Sequence, residues 1–446
     1  MNRFDAIIIG FGKGGKTLAT ELANRDWKVA VIERSKKMYG GTCINIACIP
    51  TKSLAYQAHQ GKDYEEAINN KDQLTTSLRQ KNYDNLNQNE NIQIFNGEAS
   101  FLSDHEVQVK DAGETMNLSA DKIFINTGAE TIIPDIDGIQ DSKFVYTSTS
   151  IMDLKKLPKR LAIIGGGYIG LEFASIYNQF GSEVTVLEGS SKFIPKEDRD
   201  VADAVHQSFK QKNIEVKLNA KVTGLKDAGD ETVISYAIDD TIHELKVDAV
   251  LIATGRRPNI EGLNLEAAGV EVTDKGAIKV DATLKTTVPH IWALGDVKGG
   301  LQFTYISLDD YRIVRNDLFG GHSHTANDRV NVPYSVFIDP PLSRVGLSEE
   351  AAVEQGYEIK VAKLPTAAVP RARLISEPDG FLKAVVDAKT NQILGATLFC
   401  AESSEVINIV SMAIQTGQDF TFLRDHIFTH PTMSEALNDL FSQIKE

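Results

Sequence analysis

Two cysteines, Cys43 and Cys48, stand with four residues between them in the segment GGTCINIACIPTK. A close pair of thiols cycles between dithiol and disulfide and so carries two electrons. If the segment continues as a helix, the sulfurs can still meet at its N-terminal end, where the helix dipole favours a thiolate. Metal binding is the alternative, but four-coordinate zinc needs further ligands and the next histidine, His59, has no matching spacing; no metal is assigned. Lys52 follows the pair closely and can lower a thiol pKa or contact a cofactor, the alternative being a solvated lysine. Near the other end, HPTMSE sets His430 five residues before Glu435. A histidine positioned by a carboxylate has the pKa range needed for proton transfer near neutrality; a capping or structural histidine ahead of Pro431 is the alternative.

Such side chains need rigid elements to hold them, and the chain carries the same unit twice. FDAIII reads as a buried parallel strand that runs into Gly10, Gly12 and Gly15, a helix over KTLATELANR, and a second strand, KVAVIE, ending at Glu33. Near residue 161 the pattern returns: RLAII, then Gly165, Gly167 and Gly170, a helix through LEFASIYNQF, and EVTVLE ending at Glu188. The acid falls 18 residues after the third glycine both times. Glycines allow tight turning and close approach of backbone to a pyrophosphate, whose charge is stabilised at a helix N-terminus, and the terminal acid accepts hydrogen bonds from a ribose diol. Two adenine dinucleotides are implied. Glu188 repels a 2′-phosphate and no arginine follows it, so NADH is the preferred reductant, with NADPH possible through Lys192.

Composition sets the outer limits. A chain of 446 residues exceeds one core and predicts two to four domains. No run approaches the roughly 18 consecutive apolar residues of a membrane-spanning helix, and MNRFDAIIIG shows no cleavable secretory signal, which predicts a cytoplasmic protein. A net charge of −14 disfavours nucleic acid and anionic lipid as partners. Three cysteines are too few for a disulfide framework, and Cys400, alone in an apolar run, reads as a small buried hydrophobe.

Together with TGRRPN (254–259), ALGD (293–296) and HPTMSE (430–435), these motifs make the chain resemble the glutathione reductase and lipoamide dehydrogenase family, the class I pyridine nucleotide-disulfide oxidoreductases, over essentially its whole length. The resemblance implies an α/β fold of two Rossmann-like dinucleotide-binding domains plus a C-terminal α+β dimerisation domain. It implies that the first glycine unit and Glu33 bind FAD, that Asp296 holds the ribitol, and that Gly165, Gly167, Gly170 and Glu188 bind the nicotinamide dinucleotide; Gly128 and Gly255 join the cofactor-binding set. By the same resemblance Cys43 is the thiol that attacks substrate, Cys48 faces the flavin as charge-transfer thiol, and Lys52 and Glu172 form an ion pair near the flavin's reactive nitrogen. His430, oriented by Glu435, would protonate leaving groups in the partner's site, which predicts a homodimer.

Departures narrow the substrate. No cysteine lies near the C-terminal QIKE, which argues against mercuric reductase and large thioredoxin reductase activity. Phe428 replaces the first histidine of the lipoamide dehydrogenase HAHPT, and Glu188 stands where glutathione reductases carry arginines. IIGFGKGGKTLA with MYGGTCINIACIPTK is most similar to bacterial flavoprotein reductases of hypothiocyanous acid, a mercuric-reductase-like subgroup, though Ala47 sits where most relatives have glycine. Lipoamide-type or other disulfides, a metal or quinone acceptor, and a slow FAD- and NADH-binding redox sensor are the alternatives. The expected organisation is an FAD domain over 1–145, a nicotinamide domain over 146–270, a central segment over 271–330 and an interface domain over 331–446, with DGFLKAVVDAKTNQILGATLF forming a hairpin.

Overall fold

A computed structural model describes residues 2–321 and 323–445. The opening run of β-branched and aromatic residues forms the strand Asn2–Ile9, whose last four residues are fully buried, as a strand covered on both faces requires. It lies between Val29–Glu33 and Glu114–Ile125, parallel to both, and Ile92–Asn96 extends the sheet beyond Val29–Glu33. Glu114–Ile125 is longer than its neighbours and serves two sets of partners. Its first half pairs antiparallel with Glu106–Asp111, and its last residues pair parallel with Ile291–Ala293, which returns from far along the chain. The helix Lys13–Ala23 packs on this sheet through Leu18, Ala19 and Leu22.

A second parallel sheet takes Glu215–Lys217, Glu183–Leu187, Arg160–Ile164, Ala249–Ile252 and Val145–Thr147 in that order, with the helix Tyr168–Gln179 opening from its glycine turn. The strand read as ending at Glu188 stops one residue earlier, because Glu188 turns its carboxylate back to the glycine loop. The antiparallel meander Lys221–Ala228, Glu231–Ile238 and Thr241–Val247 adjoins it, and Arg256–Pro258 leaves it to pair with Ala129–Thr131 beside the first sheet.

The C-terminal part is an antiparallel five-stranded sheet in which Phe381–Asp387 and Ile393–Phe399 form the expected hairpin. The helices Ser403–Gln415 and Ala436–Ser442 help to close its core. The three parts share apolar contacts: Leu54, Leu161, Tyr177, Phe381 and Phe399 belong to one buried cluster. Cys400 is fully buried and burial pushes its thiol up to about 12, so it behaves as a hydrophobe. Among the described residues no helix is long and apolar enough to cross a membrane.

Candidate active site

The segment before the cysteines turns through Gly40 and Gly41 at φ +94° and +81°, a region that glycine occupies without strain. A methyl group on Gly41 would lie 2.6 Å from Gly12 Cα, so the redox segment rests directly on the first glycine loop. Asn45 holds the turn by donating to the Tyr39 and Gly41 carbonyls at 2.9 Å each. Arg79 fixes Asn45 in turn, donating to its Oδ1 at 2.8 Å. Cys43 sits in the short helix Thr42–Asn45 and Cys48 opens the helix Cys48–His59. Ala47, between them, has φ −138°, outside the left-handed region that favours glycine.

The structure holds both cysteines as free, half-buried thiols. The neighbouring Cys43 thiol favours a thiolate on Cys48, whose pKa falls to about 6 against the opposing cost of burial, with Thr304 and the Lys52 ammonium adding to the stabilisation. Cys48 Sγ lies 3.5 Å from Thr304 Oγ1, at the start of the helix Thr304–Phe319. The same pairing and burial push the Cys43 thiol up, so the two thiols titrate as a pair. Lys16 lies in the same neighbourhood, with its ammonium toward the Gly40 carbonyl at 3.5 Å, and burial brings its pKa down to about 8.

Lys52 and Glu172, 120 residues apart, meet as a 2.6 Å ion pair. The other Glu172 oxygen accepts from the Phe337 backbone N–H at 2.9 Å, and the Lys52 ammonium lies 4.8 Å from the centre of the Phe337 ring. The pair thereby ties the redox helix to the second glycine helix and to the edge of the C-terminal sheet.

The two glycine loops are built alike. Gly10 and Gly165 have φ +104° and +108°, and a side chain at either would strike the backbone carbonyl at the end of the neighbouring strand, Asn126 in one case and Ala253 in the other. Glu33 accepts from Phe11 N and Ser35 N at 3.1 Å, and Glu188 from Gly166 N at 2.6 Å and Ser190 N at 2.7 Å. Each acid therefore fastens the residue after the first glycine to the turn after its own strand. Burial raises the Glu33 pKa. Gly15 and Gly170 lie where a methyl group would collide with the strand or loop beneath, whereas a methyl group on Gly167 would meet nothing within 4 Å, leaving the mouth of the second loop open. Gly128 and Gly255, both at positive φ, sit at the two crossings between the sheets, where the Gly128 carbonyl accepts from Asn259 N and that of Gly255 from Ile132 N. Asp296 lies near Arg256 and Lys298, burial raises its pKa, and its carboxylate makes no hydrogen bond among the described residues.

His430 Nδ1 is 2.7 Å from Glu435 Oε2, and Thr432 N donates to the other carboxylate oxygen at 3.3 Å. The imidazole is 69% exposed while Glu435 is 18% exposed, so a partly buried acid orients an open ring. No hydrogen bond or ion pair joins His430 to Cys43 or Cys48 within the chain.

Several neighbours of these groups escaped the sequence reading. The Asn126 side chain accepts from Gly15 N at 2.8 Å and donates to the Leu294 carbonyl at 2.9 Å, bridging the first glycine loop to the strand that leads to Asp296. Ser307 accepts from Gly14 N at 3.0 Å. Tyr168, just after Gly167, donates to buried Glu197, which also accepts from Tyr334. None carries a local signal, because each partner lies far along the chain.

Residues 4–310 match the family described as Pyridine nucleotide-disulphide oxidoreductase, and residues 332–441 match its dimerisation domain. The chain is 51% identical to the probable pyridine nucleotide-disulfide oxidoreductase RclA of Escherichia coli (strain K12), over 100% of both. It is 34% identical to a mercuric reductase of Bacillus cereus, over 97% of this chain and 70% of that one, and 32% identical to a dihydrolipoyl dehydrogenase of Bacillus subtilis (strain 168), over 97% and 94%. The solved Cu(II) complex of HOCl-induced flavoprotein disulfide reductase RclA from Escherichia coli superposes with a TM-score of 0.97 at 51% identity, covering 100% of each chain. The chain therefore belongs to the pyridine nucleotide-disulphide oxidoreductase family, with the FAD, the nicotinamide dinucleotide and the dimer-forming domain that membership implies.

Proposed function

We propose that the protein uses NADH, through FAD, to keep Cys43 and Cys48 reduced, and that this dithiol reduces hypothiocyanous acid to thiocyanate in oxidant defence. The observation that carries this reading is the pair of free, half-buried thiols seated on the first glycine loop, with Cys48 beside Thr304 and biased toward a thiolate. The residues around that loop fit FAD: a glycine turn for the pyrophosphate, Glu33 at the strand end for the ribose, and Asp296 with a carboxylate that makes no hydrogen bond among the described residues and is suited to polyol hydroxyls. The second loop, with Glu188 and open space at Gly167, fits the nicotinamide dinucleotide. A carboxylate at Glu188 disfavours a 2′-phosphate, and Lys192 is exposed, so NADH is preferred and NADPH is the weaker donor. The division of the chain near residues 145, 270 and 330 and a cytoplasmic location belong to the same reading.

FAD, when bound, supplies the two-electron link between nicotinamide and the disulfide. Cys43 passes its proton to Cys48 and attacks the sulfur of HO–SCN. His430 of the second subunit, held by Glu435, gives a proton to the departing oxygen, which leaves as water and yields Cys43–S–SCN. Cys48 returns its proton to that imidazole and attacks the Cys43 sulfur, closing the disulfide and releasing thiocyanate. Summed with the reduction of the disulfide, NADH and hypothiocyanous acid become NAD⁺, thiocyanate and water.

Relatedness to HOCl-induced RclA supports a role against oxidants, and the small substrate demands no extended binding surface. The solved Cu(II) complexes of that relative, one of them of its C43S mutant, support a metal-ion acceptor as the second reading. Purified holoenzyme given NADH and either hypothiocyanous acid, Cu(II) or a lipoamide-type disulfide separates them. Fastest loss of NADH absorbance with hypothiocyanous acid is expected; no acceptor-dependent loss with it removes this substrate, and full activity in Cys43→Ser removes the dithiol route.

A further inference from the structure

An open cavity of about 480 Å³ lies beside His430, lined by Ala368, Pro370, Arg373, Leu374, His430 and Pro431. Its floor is stiff. Thr366 is fully buried and its N–H bonds the Gly380 carbonyl at 3.0 Å, Val369 and Ala372 are fully buried, and Pro370 starts the short helix Pro370–Leu374. Two arginines rise from this turn with different fates. Arg371 is committed to Glu402, with contacts at 2.9 and 3.3 Å. Arg373 spends only its Nε, which donates to the Ala367 carbonyl at 2.6 Å, and among the described residues no carboxylate pairs with its guanidinium. That single bond fixes the plane of the group and leaves its terminal N–H donors unused.

On the other wall, Glu435 occupies His430 Nδ1, so Nε2 is the ring nitrogen left for a ligand. The cavity thus pairs an open proton-transfer nitrogen with an exposed, uncompensated planar cation. Its remaining lining is apolar or backbone, which suits a ligand with one charge and a small body more than one with many polar groups.

We propose that Arg373 is a specificity-determining residue that selects small monoanions for this site: hypothiocyanite on entry and thiocyanate on departure. The proposal rests on the reading that His430 serves the reaction of a second subunit's thiols. Hypothiocyanous acid is a weak acid whose conjugate base carries one negative charge, and its product is an anion whatever form enters. A guanidinium beside the proton donor attracts the anion; hypothiocyanite takes up one proton from solvent to become hypothiocyanous acid, and protonated His430 supplies the second, so the oxygen leaves as water.

The test compares wild-type holoenzyme with Arg373→Gln and Arg373→Lys under NADH. Losing one charge-assisted contact predicts a rise in KM for hypothiocyanite, and in the inhibition constant of thiocyanate, of about tenfold in Arg373→Gln. Arg373→Lys, which keeps the charge and loses the fork, falls between. Flavin content and the rate of flavin reduction by NADH report folding separately. A dianionic disulfide, dithiobis(nitrobenzoate), and a dicationic one, cystamine, give a readout independent of the physiological substrate: Arg373→Gln should slow the first and spare or favour the second. If wild type ignores hypothiocyanous acid but this charge preference holds and is lost in Arg373→Gln, the substrate assignment fails and the role of Arg373 stands. Unchanged KM, thiocyanate inhibition and charge preference in folded Arg373→Gln overturn the role of Arg373.

Discussion

At the scale of the residue, the decisive arrangement is two thiols that titrate as a pair. Cys48 has its pKa brought to about 6 first by the neighbouring Cys43 thiol, then by Thr304 and Lys52. Below that pH the pair is a neutral dithiol; above it a thiolate is present, so reactivity of the reduced enzyme toward iodoacetamide should rise with pH through a midpoint near 6. Lys52→Met removes a nearby positive charge and frees Glu172, both of which disfavour the thiolate, and should move that midpoint upward. A midpoint unmoved by the substitution would show that Lys52 does not act on the thiols. Proton delivery by His430 is the other role proposed at the scale of the residue. His430→Gln should lower kcat for hypothiocyanous acid by about 10²–10⁴, the range for a positioned general acid, while leaving flavin reduction by NADH intact; equal kcat in the variant contradicts the assignment. Much of this was legible in sequence because the informative spacings are short. Cys43 and Cys48 lie in one loop, and His430 and Glu435 in one turn. The added stabilisation of the Cys48 thiolate by Thr304 was not legible, since that residue lies 256 positions from Cys48.

At the scale of the element, the site is a stack of tight turns. The glycine loops and their acids could be read from the chain because strand, turn, helix and strand follow one another without interruption, and the structure gives both acids the same pair of backbone donors. What could not be read is how the first loop is closed from below. Asn126 does so from a neighbouring strand, and a parallel sheet brings strands together without leaving a mark in local sequence. Asn126→Ala leaves the buried Gly15 N–H and Leu294 carbonyl without that partner and should lower stability by about 1–3 kcal/mol, with loss of flavin preceding unfolding in a denaturant titration. Flavin retention and a midpoint equal to wild type would show that the loop does not depend on it. Gly41 is the matching contact from above: at φ +81° and against Gly12, alanine there should separate the redox segment from the loop and weaken FAD retention.

At the scale of the whole molecule, His430 and the cysteines make no polar contact within one chain, and the region carrying His430 matches the dimerisation domain of the family. A shared site between two copies explains both facts. Mixed dimers of Cys43→Ser and His430→Gln, each weak or inactive alone, should then regain activity, because one of the two sites in the mixed dimer has both wild-type groups; mixing that restores nothing contradicts the shared site. The three-part architecture was readable from the repeated unit and the C-terminal alternation. The return of Ile291–Ala293 to the first sheet was not, since a three-residue strand has too little sequence to announce its partner. Yet that return carries Asp296 to the loop that Asn126 closes, and so the cofactor region draws on residues near both ends of a span of roughly the first 300 residues.

The claim on which all three scales depend is that nicotinamide electrons reach Cys43 and Cys48 and leave them for the oxidant. Anaerobic holoenzyme, oxidised and then treated with NADH, can be alkylated and mapped by mass spectrometry before and after one addition of hypothiocyanous acid. The account predicts two newly labelled thiols, Cys43 and Cys48, after NADH, and loss of both with release of one thiocyanate per pair after the oxidant. Absence of new thiols at these positions after NADH, or thiocyanate formed while both stay labelled, would contradict it.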